Sequence, residues 1–250
     1  EHYDLSMLGT QIIEYYRRFD WENGGVECTY ILDRGNISLL PKLGDCVVEE
    51  DSEDYLEEIS SIHSKGQLGA VRDFELTRML LSKPSNKTFV AVKNGQLVAY
   101  VVIRGERIVE YGGQASFTAG LVREVFDRRD QLGASTTARD QQTFRPLLQS
   151  RLSVVTPGCN FGEGLPGVLN GLGIPKQIGY VGMLRIINLK GLLQKLKLDR
   201  IRIEQRREII LMQGVKFTRR EIVKLIFGPE RVSDFARDIF PIPFYQWALD

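Results

Sequence analysis

The chain has 250 residues, 43% hydrophobic and 26% charged, enough to bury one large or two modest cores. A formal net charge of +1 gives no global pull toward nucleic acid or an acidic membrane surface. No apolar run approaches the ~18 residues that a membrane span needs. Charge is nonetheless uneven: residues 45–58 carry eight acids and no base, and residues 190–224 carry eleven bases against four acids. Cys28, Cys46 and Cys159 are widely spaced and odd in number, so they read as free thiols in a reducing compartment. With no signal peptide, the expected location is the cytoplasm.

In chain order, residues 4–9 read as a short strand and 11–19 as a helix with Ile12, Tyr15, Tyr16 and Phe19 on one side. On composition alone these aromatics fill a core, since they are large buried side chains. After Asn23-Gly24-Gly25, residues 26–32 form a strand. Residues 37–42 are a linker, 46–49 a strand, 55–63 a helix entered through an acidic turn, and 73–81 a helix capped by Asp73. A meander follows at 88–93, 96–103 and 107–111. Its first turn is Asn94-Gly95, the dipeptide that accepts positive φ at both central positions. Beyond Gly112-Gly113 the apolar period changes from 2 to 3.6, with Phe117, Leu121, Val122, Val125 and Phe126 on one helical face. Residues 133–139 read as a strand, 144–152 and 168–172 as helices, 179–187 as a strand and 189–196 as a helix. Strands at 201–205 and 209–212 precede a helix from Thr218, where Glu221 three residues on completes a capping box. The aromatic tail at 240–250 contains Pro241 and Pro243 and cannot be a regular helix throughout.

A three-stranded meander feeding a helix through a glycine turn resembles the core of the Gcn5-related N-acetyltransferase superfamily. The run Tyr15-Tyr16-Arg17-Arg18-Phe19-Asp20-Trp21-Glu22 resembles the helix that closes that family's catalytic core, with Asp20 where glycine is usual. The resemblance places Tyr16 at the family's general-acid tyrosine and implies that an acetyl-CoA-binding half precedes Glu1, making this chain a fragment. Tandem domains followed by a sterol-carrier-like region resemble the enhanced-intracellular-survival acetyltransferases. The expected fold is therefore α/β (α+β): a mixed sheet flanked by helices, with a small C-terminal sterol-carrier-like region. The expected domains are 1–40, the end of a first acetyltransferase domain; 41–190, a second and degenerate one; and 191–250.

A tyrosine near the sulfur can protonate the thiolate that leaves when an amine attacks a thioester. Glu110 stands where some members keep a catalytic base, against the plainer reading of a polar strand residue. Gly112, Gly113 and Gln114 precede a helix amino end that could hold a pyrophosphate, but they lack the family's glycine spacing and any base in the loop. The literal Gly-x-Gly-x-x-Gly at Gly162, Gly164 and Gly167 follows Pro157 and is interrupted by Pro166, so it reads as a loop rather than a dinucleotide fingerprint. Two histidines and three scattered cysteines give no metal-ligand spacing.

The leading expectation is an acetyl-CoA-dependent N-acetyltransferase acting on a primary amine of a small molecule, peptide or protein. It needs no nucleic acid and no membrane, and homo-oligomers are compatible with it. The alternative is a non-catalytic scaffold or ligand-binding module built on a degenerate acetyltransferase fold. A weaker third reading is an aminoacyl-transferring enzyme using an aminoacyl-tRNA donor, against which the near-zero net charge argues.

Overall fold

The computed structural model describes residues 3–50, 53–65, 71–137, 151–157, 164–198, 200–206 and 209–228. Strand β1 (Leu5–Leu8), helix α1 (Ile13–Arg17), β2 (Glu22–Gly24) and β3 (Glu27–Asp33) open the chain. β4 (Val47–Glu50) and helices α2 (Leu56–Ser64) and α3 (Phe74–Leu81) lead into the meander β5 (Asn86–Lys93), β6 (Gln96–Arg104) and β7 (Arg107–Gly113). Helix α4 (Ala115–Thr137), β8 (Arg151–Pro157), α5 (Gly164–Gly171), β9 (Lys176–Gly179), β10 (Gly182–Ile186) and α6 (Leu189–Lys195) follow. The last described elements are β11 (Ile203–Arg206), β12 (Ile209–Met212), β13 (Val215–Thr218) and α7 (Arg219–Phe227).

Contacts group the chain into two compact units, one of residues 1–27 and 179–245, the other of residues 28–178 and 246–250. The expected 1–40, 41–190 and 191–250 division groups the chain differently, because β3 lies in the large sheet of the second unit. That sheet is seven-stranded and mixed, in the order β4-β5-β6-β7-β8-β3-β9. One of its cores joins Phe89, Val101 and Ile103 to Leu121, Val122, Val125 and Phe126 of α4 and Leu165 and Leu169 of α5. The other joins Val90, Val92, Tyr100 and Val102 to Ile59 of α2 and Leu80 and Leu81 of α3. Strands with both faces covered read as nearly continuous apolar runs, which is why residues 98–103 lack alternation. The β5–β6 hairpin turns at Asn94 and Gly95, with φ 52° and 75°, the left-handed pair that matches the strands' own twist.

In the other unit β10 lies between β1 and β2, antiparallel to both. A second sheet runs β11-β12-β13. One apolar core holds Leu5, Leu184, Leu189, Leu193, Met212, Phe217, Ile222 and Ile226. The Thr218 cap of α7 is complete: its hydroxyl accepts from Glu221 N at 3.2 Å, and Glu221 Oε2 accepts from Thr218 N at 2.7 Å. Asp73 caps α3 by accepting from Leu76 N at 2.8 Å.

Five expectations are corrected. Residues 133–137 continue α4 rather than starting a strand, because adding residues to a helix already formed avoids the unfavourable nucleation step despite their weak helix propensity. Residues 151–152 begin β8, not the end of a helix; the run Leu152-Ser153-Val154-Val155-Thr156 is β-branched and buried between strands. The supposed glycine loop holds α5, which starts at Gly164 with φ 68° and takes Pro166 in its first turn, where a missing N–H costs nothing. The single strand expected at 179–187 is two strands in different sheets. Cys28 is disulfide-bonded and fully buried while Cys46 is free, so three free thiols were wrongly expected and the compartment argument resting on them falls. Cys159, Gly162 and the 240–250 tail lie outside the described residues. No helix among the described residues is long and apolar enough to cross a membrane.

Candidate functional site

The Tyr16 segment comes first in the chain. α1 is only five residues long and buries none of them. Tyr15 is 52% exposed and Phe19 49% exposed, so the core-filling reading of this helix is overturned. The aromatics instead pack on each other: Tyr16 meets Tyr15 edge-on at 5.2 Å and Trp21 edge-on at 6.3 Å, the arrangement that ring quadrupoles favour. The chain then reverses at Asp20, whose φ is 63°. Left-handed backbone normally falls to glycine, with Asp and Asn the usual exceptions. Asp20 thus holds a glycine-type conformation at the position where the resembling family keeps glycine. Glu22, almost fully buried, accepts from Arg17 Nε at 3.1 Å, from Arg17 Nη2 at 2.8 Å and from Asn23 N at 3.0 Å. That clasp ties α1 back onto β2 and leaves Tyr16 half-buried with its ring against Trp21.

Glu110 sits in β7 in the other unit, with no exposure. An acid in the apolar run Ile108-Val109-Glu110 must be paired or neutral, and here it is paired. Arg72 Nη2 donates to both carboxylate oxygens at 2.8 Å, and the Tyr100 hydroxyl donates to Oε1 at 2.8 Å. Arg72 Nε donates to His63 Nε2 at 3.1 Å. Arg72 Nη2 also lies 2.5 Å from His63 Nδ1, which is itself 3.4 Å from Glu110 Oε1, so the guanidinium meets both ring nitrogens. Burial alone pushes the Glu110 carboxyl up, but the hydrogen bonds from His63 and Arg72 and the Arg72 charge outweigh it. The group is therefore held below the ordinary carboxyl range. A carboxylate so engaged and so far from solvent is a weak proton acceptor.

The glycine turn next to it is shaped by packing. Gly112 pairs with Tyr100 across β6–β7. A Cβ on Gly112 would come within 2.5 Å of the Tyr100 ring and 2.7 Å of the Ile62 side chain. Gly113 has φ 108°, and a Cβ there would run into the Val98 carbonyl. Gln114 N donates to Val98 O at 3.1 Å, and the Thr118 hydroxyl donates to the Gly112 and Gln114 carbonyls. The Gln114 N–H, one of the groups expected to hold a pyrophosphate, is thus already spent inside the protein. Lys93 Nζ lies 5.2 Å from the centre of the ring of Phe117, in the first turn of α4. β7 and β8 are parallel but pair only at Arg107–Ser153 and Ile108–Val154.

The residues singled out in the sequence thus fall into two places. Tyr16 is in one compact unit; Glu110, Gly112, Gly113 and Gln114 share the other. Sequence reasoning missed Arg72, His63, Tyr100 and Lys93. The available signal was Glu110 itself, since an acid inside an apolar strand demands a buried counter-charge. Its partner Arg72 lies 38 positions away, beyond the reach of periodicity. Among the described residues no cluster of His, Cys, Asp or Glu could hold a metal ion.

No protein-family model and no curated protein matches the sequence. The structure is similar to a conserved protein of unknown function from Enterococcus faecalis V583, a probable N-acyltransferase, with TM-score 0.53 and 16% identity over 77% of this chain and 47% of that one. It is similar to a GCN5-related N-acetyltransferase from Anabaena variabilis, with TM-score 0.50 and 11% identity over 88% of this chain and 62% of that one. The chain spans less than two thirds of the length of either. The mixed seven-stranded sheet and these likenesses together give the chain the fold of the GCN5-related N-acetyltransferases.

Proposed function

We propose that this chain is part of an acetyl-CoA-dependent N-acetyltransferase acting on a primary amine, with Tyr16 as the proton donor. The observation that carries this reading is the backbone at Asp20. Its positive φ reproduces a glycine turn immediately after a Tyr-bearing helix, so the departure from the family's sequence leaves its local geometry intact. Acetyl-CoA supplies an acyl thioester, and transfer to an amine expels a thiolate. Tyr16 donates its phenolic proton to that sulfur, and the Arg17–Glu22 clasp with the Trp21 contact fixes where the hydroxyl stands. The acceptor is a small molecule, peptide or protein amine.

The seven-stranded unit supports a second, structural role within the same reading. Its turn does not suit a pyrophosphate, because the Gln114 N–H is engaged and the glycines serve packing. We therefore read it as a degenerate acetyltransferase domain, with Glu110, Gly112, Gly113 and Gln114 as structural residues. The non-catalytic alternative for the whole chain is favoured by the same observation.

The test is calorimetric titration of acetyl-CoA into this chain and into the natural gene product, followed by thiol release with a panel of amines. Binding to the natural gene product but not to this chain, with turnover that falls in Tyr16→Phe, supports the reading. Binding to this chain that Lys93→Ala abolishes would move the donor site to the seven-stranded unit. No binding to either would leave the scaffold reading.

A further inference from the structure

The group around Glu110 has the anatomy of a ligand site that the chain fills itself. Three of its members belong to regular elements: His63 to α2, Tyr100 to β6 and Glu110 to β7. The fourth does not. Arg72 stands just before the α3 cap Asp73, in a segment without regular secondary structure. Its neighbour Val71 is fully exposed while the Arg72 side chain has no exposure at all. The backbone there runs along the surface, and the guanidinium alone descends into the protein. It meets a carboxylate on one side, both of whose oxygens lie 2.8 Å from Nη2, and an imidazole on the other, whose Nε2 lies 3.1 Å from Nε. Gly112 lets the Tyr100 ring pack directly against its backbone, where a side chain would strike that ring.

We propose that Glu110, Tyr100 and His63 form a binding site for a guanidinium or alkylammonium cation, and that Arg72 is its occupant in cis. This goes beyond the acetyltransferase reading and does not depend on it. The walls are built by α2, β6 and β7, so they persist when the Arg72 side chain is removed. The carboxylate left behind is then buried and uncompensated, which is strongly unfavourable. A small cation entering from solvent restores the charge balance. Guanidinium is preferred over ammonium because two of its nitrogens, set at a fixed angle, meet two different partners, whereas an ammonium is a point charge. Any larger amine approaching this face of the unit has first to displace Arg72.

The experiment is thermal melting of the full chain carrying Arg72→Ala, with and without methylguanidinium far below denaturing concentration. Propylammonium and urea serve as comparators. Arg72→Ala is expected to melt roughly 10 °C below the wild type. Methylguanidinium is expected to recover part of that loss saturably, propylammonium less and urea none. The wild type and Arg72→Ala/Glu110→Gln are expected to gain nothing. Lack of recovery by any cation, or equal gains in all three proteins, overturns the proposal. If Arg72→Ala does not fold, refolding yield is read instead. Methylguanidinium is then expected to raise it, and the double variant to refold better than the single one, because the buried charge is gone. A double variant that fails as completely, with no help from the cation, overturns the proposal equally.

Discussion

The Tyr16 segment and the Glu110 cluster are the two places where chemistry could be expected, and they are opposite in kind. Around Tyr16 the aromatic rings lie partly in solvent, held by edge contacts and one ionic clasp, and α1 buries nothing. Around Glu110 every group is buried and the carboxylate is bonded by arginine and tyrosine. A proton donor must keep a free hydrogen-bonding direction toward the reacting atom. A residue whose capacity is used up by its own protein contributes cohesion instead. Position in a family's pattern and availability for chemistry are thus separate properties, and here they part at Glu110.

The sharpest way to break this comparison is Glu110→Gln. It keeps the shape but leaves the Arg72 charge without its counter-ion, and is expected to cost about 3–5 kcal/mol in urea unfolding with no specific loss in turnover by the folded fraction. A selective fall in kcat would instead make Glu110 a catalytic base. The same variant tests the acid limb. The Glu110 pKa is lower in the folded protein than its ordinary value of 4.5. Its stabilisation is therefore fully present above that value and is lost as pH falls through the depressed folded one. Wild-type stability should accordingly fall more steeply with acid than that of Glu110→Gln.

Gly113→Ala ranks next. Positive φ and a clash with the Val98 carbonyl together are expected to cost roughly 3 kcal/mol, read as a lower denaturation midpoint. Tyr16→Phe should lower kcat about 100-fold or more, while shifting stability by no more than about 0.5 kcal/mol. Thr218→Ala removes the capping box of α7 and is expected to cost about 1 kcal/mol. The smallest effect belongs to Asp20→Gly, which relieves left-handed backbone and should stabilise by about 0.5 kcal/mol. Marked destabilisation there would mean that the aspartate side chain itself shapes the turn.

Local chemistry made much of the fold legible. Asn94-Gly95, the Asp73 cap and the Thr218–Glu221 box each specify backbone through neighbouring atoms, and each is found as expected. The meander and the start of α4 were legible because their apolar period changes at Gly112-Gly113. What sequence reading missed was set by distant partners. Residues 151–157 are a strand flanked by β7 and β3; the β-branched Val154-Val155-Thr156 carries a local strand signal, but the flanking strands lie far off in sequence. The strand expected at 179–187 was legible only in part, because Gly179 ends β9 and Gly182 begins β10, a change of sheet rather than a change of composition. At the site, Tyr16 was legible from its neighbours, whereas Arg72 and His63 were not, because ion pairs across a fold leave no periodicity.

The pairing of Leu5 with Ile186 has a consequence for how the molecule is made. Ribosomes release the chain from its amino end at roughly 5–20 residues per second. β1 and β2 are therefore released well before β10, their hydrogen-bonding partner. During that interval the edges of two strands have no neighbour to pair with, and unpaired edges invite association with other chains. Residues 28–178, whose cores are assembled from a continuous stretch, can fold first. Truncation of a nascent chain before Gly182 should thus yield a structured middle and an unstructured beginning, detectable as protease sensitivity confined to the first 27 residues.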